Sequence, residues 1–94
     1  MTDNDILVMV KADLEIIGTN DTKDRYLLQL IDRAKALIAR EGATLDLNSA
    51  EDCGLVAMYA AWLYRKRADD SPAMPRMLRV PLNNRIFGEA VKRP

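Results

Sequence analysis

The chain has 94 residues, of which 49% are apolar and 5% aromatic, and its 14 basic and 14 acidic side chains give no net charge. This length suits one small domain, and a core of mainly aliphatic side chains favours helices over strands. The single cysteine, Cys53, and the lack of histidine exclude an intrachain disulfide, a Cys/His metal site and a histidine-activated nucleophile.

Two helices are predicted in the first half of the chain. The first covers residues 4–17, with Asp3 or Asn4 as its N-cap, and the second covers residues 22–41 and ends at Gly42. In both helices, apolar residues recur at three- and four-residue spacing and so form one face. These residues are Leu7, Val10, Leu14 and Ile17 in the first helix, and Tyr26, Leu27, Leu30, Ile31, Ala34, Leu37 and Ile38 in the second.

A third helix is predicted over residues 49–67, after a loop. Ser49, followed three residues later by Asp52, resembles a capping box, which is a reciprocal pair of hydrogen bonds in the first turn of a helix. Residues 54–64 include almost no polar side chain, so every face of this helix needs cover. Either the chain's own core supplies that cover, or part of the helix meets another subunit. The candidate subunit-interface residues are Met58, Tyr59, Trp62, Tyr64, Arg65 and Arg67.

The last segment, residues 72–94, is predicted to be a hinge and a docking tail that follow a helical body formed by residues 1–71. Pro72 and Pro75 break the helical pattern. Pro81 interrupts it again, so we expect two short helical pieces and not one long helix. The apolar side chains of the tail either dock on a partner or fold back onto the chain's own core. The candidate docking residues are Met74, Arg76, Met77, Leu78, Arg79, Leu82, Arg85, Ile86 and Phe87.

The predicted fold class is therefore all-α: a small three-helix bundle with a short, partly helical C-terminal docking segment. Charge is also unevenly distributed along the chain. Residues 1–64 contain 6 basic and 11 acidic side chains, whereas residues 65–94 contain 8 and 3. A basic segment beside an acidic body suits nucleic acid, an acidic protein partner or an acidic neighbouring copy of the same chain.

Motifs that would indicate catalysis do not occur in the sequence. It contains no Gly-rich phosphate loop, no HExxH motif and no calcium-binding loop. We therefore predict a binding protein without a cofactor or metal, and not an enzyme. The longest apolar run, residues 55–64, is about half of the roughly 20 residues that cross a bilayer. Acidic residues precede the first apolar stretch, which is atypical of a secretory signal, so we expect a cytosolic protein with no membrane association.

Four segments of the sequence carry a resemblance to a known family. They are residues 26–35 (YLLQLIDRAK), 58–67 (MYAAWLYRKR), 74–79 (MPRMLR) and 82–85 (LNNR). In this order and spacing, over nearly the full chain, the sequence resembles the small head–tail connector, or adaptor, proteins of long-tailed bacteriophages and prophages.

This resemblance implies a structural role. Such proteins form a ring of about a dozen copies beneath the portal, through which DNA passes, and join the head to the tail. The implied partners are the portal protein, the next connector or stopper protein, and neighbouring copies, with the passing DNA contacted at most non-specifically. The implied location is the head–tail junction of the virion, and the bacterial host cytoplasm before assembly. The role of reaching toward the portal falls on Met74 to Phe87.

Two alternatives remain open at this stage. A small helical DNA-binding regulator would use Arg76, Arg79 and Arg85 on phosphates. A helix-turn-helix, however, places an exposed polar helix in the major groove, and the third helix here is apolar. A binding module whose partner is unrelated to phage assembly is the other alternative, and the sequence does not distinguish a phage partner from a host one.

Overall fold

The computed structural model describes residues 2–67 and 73–92, and the side chains up to residue 88. All regular structure in these residues is helical, which confirms the all-α prediction. Residues 68–72, which include the proposed hinge at Pro72, lie outside the described part. The helices are α1 (Asp3–Asp13), α2 (Asp21–Arg40), α3 (Ala50–Lys66) and α4 (Arg76–Lys92).

Helix α3 is the centre of the fold, because α1, α2 and α4 all pack against it. Nine of its 17 residues are buried, Cys53 and Val56 completely. The other helices contribute fully or almost fully buried side chains to the same core. These are Ile6 and Val10 of α1, Leu27, Ile31 and Ile38 of α2, and Leu78 and Leu82 of α4. The almost uninterrupted apolar sequence of α3 is thus largely covered by the chain itself.

The N-cap of helix α1 lies one residue before Asp3 and two before Asn4, the two predicted caps. The N-cap is Thr2, whose Oγ1 accepts a hydrogen bond of 3.3 Å from the Asp5 amide, while the Thr2 amide donates to Asp5 Oδ2 at 2.8 Å. These bonds form a capping box. Because hydrogen bonds from Thr2, first from its backbone and then from its side chain, favour the ionised form, the pKa of Asp5 is lowered.

The end of α1 departs from the prediction. The helix ends at Asp13 and not at residue 17, and Glu15 adopts the left-handed conformation with φ 59°. This turn carries the chain away from the helix axis, so Ile17 is 98% exposed and does not extend the apolar face. The periodicity continued by chance into a turn, and the assignment of Ile17 to the core face was wrong.

Helices α2 and α3 begin and end within one residue of the predicted bounds. The N-cap of α2 is Asn20, whose side chain accepts from the Lys23 amide at 3.0 Å. Gly42 follows α2 with φ 112°, the left-handed conformation in which a glycine commonly ends a helix. Ser49 caps α3 by accepting from the Asp52 amide at 3.3 Å, but the Asp52 carboxylate binds other groups, described below.

Helix α4 is continuous from Arg76 to Lys92, so the prediction that Pro81 divides this segment into two short helical pieces was wrong. Pro81 lies inside the helix and supplies no amide hydrogen for the preceding turn. Leu78 and Leu82, on either side of it in sequence, are 2% and 0% exposed. Their burial against the core offsets the local cost of proline and keeps the helix in one piece.

Replacing Pro81 by alanine is expected to stabilise the protein. Alanine restores a backbone hydrogen bond and removes a steric conflict in the helix, so the free energy of unfolding should rise by about 1–2 kcal/mol after allowance for the freer unfolded chain. Urea unfolding followed by circular dichroism measures this change. Pro75→Ala, immediately before the helix, is the control and should change stability little. A loss of stability in Pro81→Ala would contradict the view that proline is a local cost here.

Candidate functional site

Helix α4 has two apolar faces, and the inner one packs on the chain itself. Leu78 and Leu82 are buried, and Met74 and Ile86 are partly buried against the same core. Four of the nine candidate docking residues therefore fold back onto the core, which is the second of the two alternatives left open by the sequence.

The outer face of α4 is the candidate site. Met77 is 81% exposed, Val80 44% and Phe87 70%, and the exposed Asn84 lies between the last two. Their spacings of three, four and three residues align these four side chains in one row, which we call the outer stripe. Single exposed apolar residues are common on protein surfaces, but apolar residues in a row at this spacing are typical of a helix that packs on another helix.

The arginines of α4 differ in their surroundings. Arg76 is exposed beside the outer stripe. Arg79 Nη1 lies 3.0 Å from Glu41 Oε1, at the end of α2, and also donates to Asn83 one turn along α4. Because both groups of the Arg79–Glu41 pair are partly exposed, the pair contributes only about 0–1 kcal/mol to stability.

Arg85 joins α4 to the rest of the fold through a mostly buried ion pair. Its Nε and Nη2 lie 2.9 and 3.3 Å from the two oxygens of Asp52, whose side chain is only 5% exposed. Arg85 also donates to the carbonyl oxygen of Thr44, and Asp52 accepts from the Asp46 amide at 2.8 Å. The pair thus ties together the loop after α2, the first turn of α3 and the middle of α4.

A groove runs between α3 and α4 beside the outer stripe. It consists of two adjoining pockets, of about 220 and 200 Å³, that share Met58. We call it the α3–α4 groove. Its walls are mainly apolar, and its charged lining residues are Glu51, Asp52 and Arg85 in the first pocket and Asp13 and Arg65 in the second. Six of its lining residues are Gly54, Met58 and Trp62 of α3, and Met77, Pro81 and Arg85 of α4.

The candidate subunit-interface residues separate into three environments. Met58, Trp62 and Arg65 line the α3–α4 groove. Arg65 also binds the end of α1, donating to the Asp13 carboxylate at 3.2 Å and to its carbonyl oxygen at 2.8 Å. Tyr59 is 6% exposed and belongs to the core, and burial raises the pKa of its phenol, which stays neutral.

Tyr64 and Arg67 lie at another surface, near the start of α2. The Arg67 guanidinium lies over the Tyr64 ring at 4.1 Å and near the Tyr26 ring at 5.3 Å. Such stacking holds an arginine in place beside aromatic rings. The predicted interface set is therefore not one continuous surface in a single copy of the chain.

Three features of the site were missed by reading the sequence. Val80 belongs to the outer stripe, and its spacing from Met77 and Phe87 was visible, but the expected break at Pro81 obscured it. The partnership of Asp52 with Arg85 spans 33 residues, and no local pattern indicates it. Gly54 was read as part of an apolar run, whereas it opens one wall of the groove.

Among the described residues, no cluster of cysteine and acidic side chains is arranged to hold a metal ion, and no helix has the length and hydropathy to span a membrane. Comparisons of the chain with protein-family models, curated proteins and solved structures found no match.

Proposed function

We propose that this protein is a structural head–tail connector that forms a ring beneath the portal of a long-tailed phage or prophage. The observation that carries the proposal is the outer stripe, an exposed row of three apolar side chains and one asparagine on a basic helix that is itself anchored to the core. A firmly held helix with one unpartnered apolar face suits a permanent protein–protein contact. The order of motifs in the sequence, which resembles that of known connectors, supports the same function.

In this function α4 would meet the portal protein, and other surfaces would meet the next connector and neighbouring copies. DNA would pass through the ring with at most non-specific contact. The protein would act at the head–tail junction, after synthesis in the host cytoplasm.

The DNA-binding alternative gains less support from the geometry. A duplex-binding surface needs several cations that are available to phosphates. Arg65, Arg79 and Arg85 instead lie within 3.2 Å of the carboxylates of Asp13, Glu41 and Asp52. Separating these pairs would add an energetic cost to DNA binding, so the paired arginines favour protein contacts within the fold.

Co-sedimentation with the portal protein encoded nearest to this gene tests the proposal. The full chain should sediment with the portal, and the double variant Val80→Glu, Phe87→Glu should lose binding, because two carboxylates would be buried in an apolar contact. Both side chains are exposed, so the variant should keep its fold. The matched control, Asp21→Lys with Arg25→Glu on exposed positions of α2, should bind normally.

The two other outcomes each count against the proposal. If the intact chain does not sediment with the portal, the connector function is wrong. If the double variant binds as well as the intact chain, the outer stripe is not the portal-binding surface, and the observation that carries the proposal is lost.

A further inference from the structure

Gly54 lies inside helix α3, although the packing of the chain does not require a glycine at this position. It lies in the first half of α3, where glycine costs about 1 kcal/mol relative to alanine. A Cβ atom at this position would meet no atom within 4 Å. Because Gly54 lines the α3–α4 groove, the missing side chain leaves space for a close approach from outside the chain.

The occupant should be an apolar helix face, because the groove wall at Gly54, Met58 and Pro81 is apolar. Among the described residues outside α3 and α4, helix α1 offers such a face. Val8 is 67% exposed at the middle of α1, and Ala12, one turn later, is also exposed. These two small side chains allow a helix to lie close to another backbone.

Charge distinguishes α1 from other helices as the occupant. Helix α1 contains three acids and one lysine, a net charge of 1 − 3 = −2. Helix α4 contains three arginines, one lysine and one glutamate, a net charge of 4 − 1 = +3. Within the chain, Asp3 and Asp13 of α1 already pair with Lys35 and Arg65, and Arg79 and Arg85 of α4 already pair with Glu41 and Asp52. Among the described side chains of these two helices, the exposed charges that can meet between copies are therefore those of Asp5 and Arg76. The exposed carboxylate of Asp5 lies about one turn before Val8, whereas Arg76 is exposed near the start of α4. Opposite charges beside matching apolar surfaces favour the pairing of these two helices.

We propose that the outer face of α1, centred on Val8, docks into the α3–α4 groove of a second copy of this chain. The acidic α1 of one copy then lies along the basic α4 of its neighbour, with Val8 and Ala12 against Gly54, Met58 and Met77. The two surfaces are different parts of the chain, so the contact is head-to-tail and leaves each copy with one free surface of each kind. Repetition of this contact produces a ring or a filament.

The inference deepens the proposed function and rests on it only for closure of the ring. It also assigns the two surfaces of α4 to different partners. The groove beside α3, together with Met77, receives the neighbouring copy. Val80 and Phe87 of the outer stripe do not line the groove and stay available to the portal.

Disulfide trapping between copies tests this interface. Val8→Cys and Met77→Cys are made in separate, distinguishable chains, mixed and exposed to oxidised glutathione. A disulfide forms only when the two Cα atoms come within about 7 Å, so it reports direct contact. Cys53 is completely buried and serves as the internal background, measured in the parent chain. Asp32→Cys, at an exposed position of α2, replaces Val8→Cys in the control mixture.

The expected result is a mixed dimer from Val8→Cys and Met77→Cys, with little dimer from either variant alone or from the control mixture. Adding Gly54→Leu to the Met77→Cys chain should cause loss of the mixed dimer, because leucine fills the groove from a position at which an added Cβ atom meets no atom within 4 Å. Equal trapping in the control mixture, no mixed dimer, or dimers formed mainly within one variant would each overturn the inference.

Failure of this interface is distinguishable from failure of the proposed function. A chain that sediments with the portal protein but gives no mixed dimer is a connector whose copies meet through other surfaces. A chain that gives the mixed dimer but does not bind the portal keeps the interface and loses the connector function.

Discussion

The Arg85→Ala variant should unfold at a much lower urea concentration than the parent chain. Removal of the guanidinium takes an ion-pair partner away from the Asp52 carboxylate, whose side chain is only 5% exposed. Breaking a buried ion pair from one side costs about 3 kcal/mol, because the remaining charge stays desolvated. Urea unfolding of both proteins, followed by circular dichroism, gives the difference in the free energy of unfolding.

The double variant Asp52→Asn, Arg85→Met separates the cost of an orphaned charge from the value of the pair. With both charges removed and the volume kept, stability should recover most of the way to the parent value. A single variant that loses less than about 1 kcal/mol, within the range of exposed ion pairs, would contradict the view that this pair is a buried clamp on α4.

The Leu82→Ala variant should lose about 3 kcal/mol of stability. Leu82 is completely buried where α4 packs on the core, and its truncation removes apolar contacts and leaves a cavity. The matched control is Val80→Ala on the same helix, which removes an apolar side chain that is 44% exposed and should cost less than about 1 kcal/mol. Chemical unfolding of both variants measures the contrast.

Similar losses in the two variants, or a negligible loss in Leu82→Ala, would mean that α4 does not belong to the folded core. In that event the tail would be an independent docking segment, which is the first of the two alternatives that the sequence left open. The structure argues against deleting the segment as a test of binding, because truncation before α4 removes Leu78 and Leu82 from the core together with the outer stripe.

The sequence predicted α2 and α3 well because their signals are local. Caps, the glycine at position 42 and the apolar periodicity all lie within one or two turns of the residues they affect. The end of α1 was predicted less well. Ile17 continued the helical spacing, but the left-handed conformation of Glu15 ends the helix earlier, and glutamate carries no strong preference for that conformation.

The continuity of α4 was not predictable from local rules. Proline inside a helix is unfavourable on its own, and only the burial of Leu78 and Leu82 against α3 reverses that preference. The same error hid the outer stripe, since a helix broken at Pro81 would not align Met77 with Phe87. Tertiary packing, which no short stretch of sequence encodes, determined both the fold of the tail and the shape of the candidate site.

The sequence also could not predict which arginines pair with acidic residues inside the chain. A basic tail suggested cations available to a partner, yet Arg79 and Arg85 pair with acids 38 and 33 residues away. Part of the basic charge of the tail therefore forms ion pairs within the fold. What remains for a partner on the described part of α4 is the apolar outer stripe, with Arg76 exposed beside it.

The measurement that most directly tests the connector function is electron microscopy of the chain mixed with its neighbouring portal protein. We expect class averages with a closed ring of about a dozen copies, coaxial with the portal and attached at one end of it. Portal particles that carry no added density, or isolated copies bound at irregular positions, would contradict the function proposed for this protein.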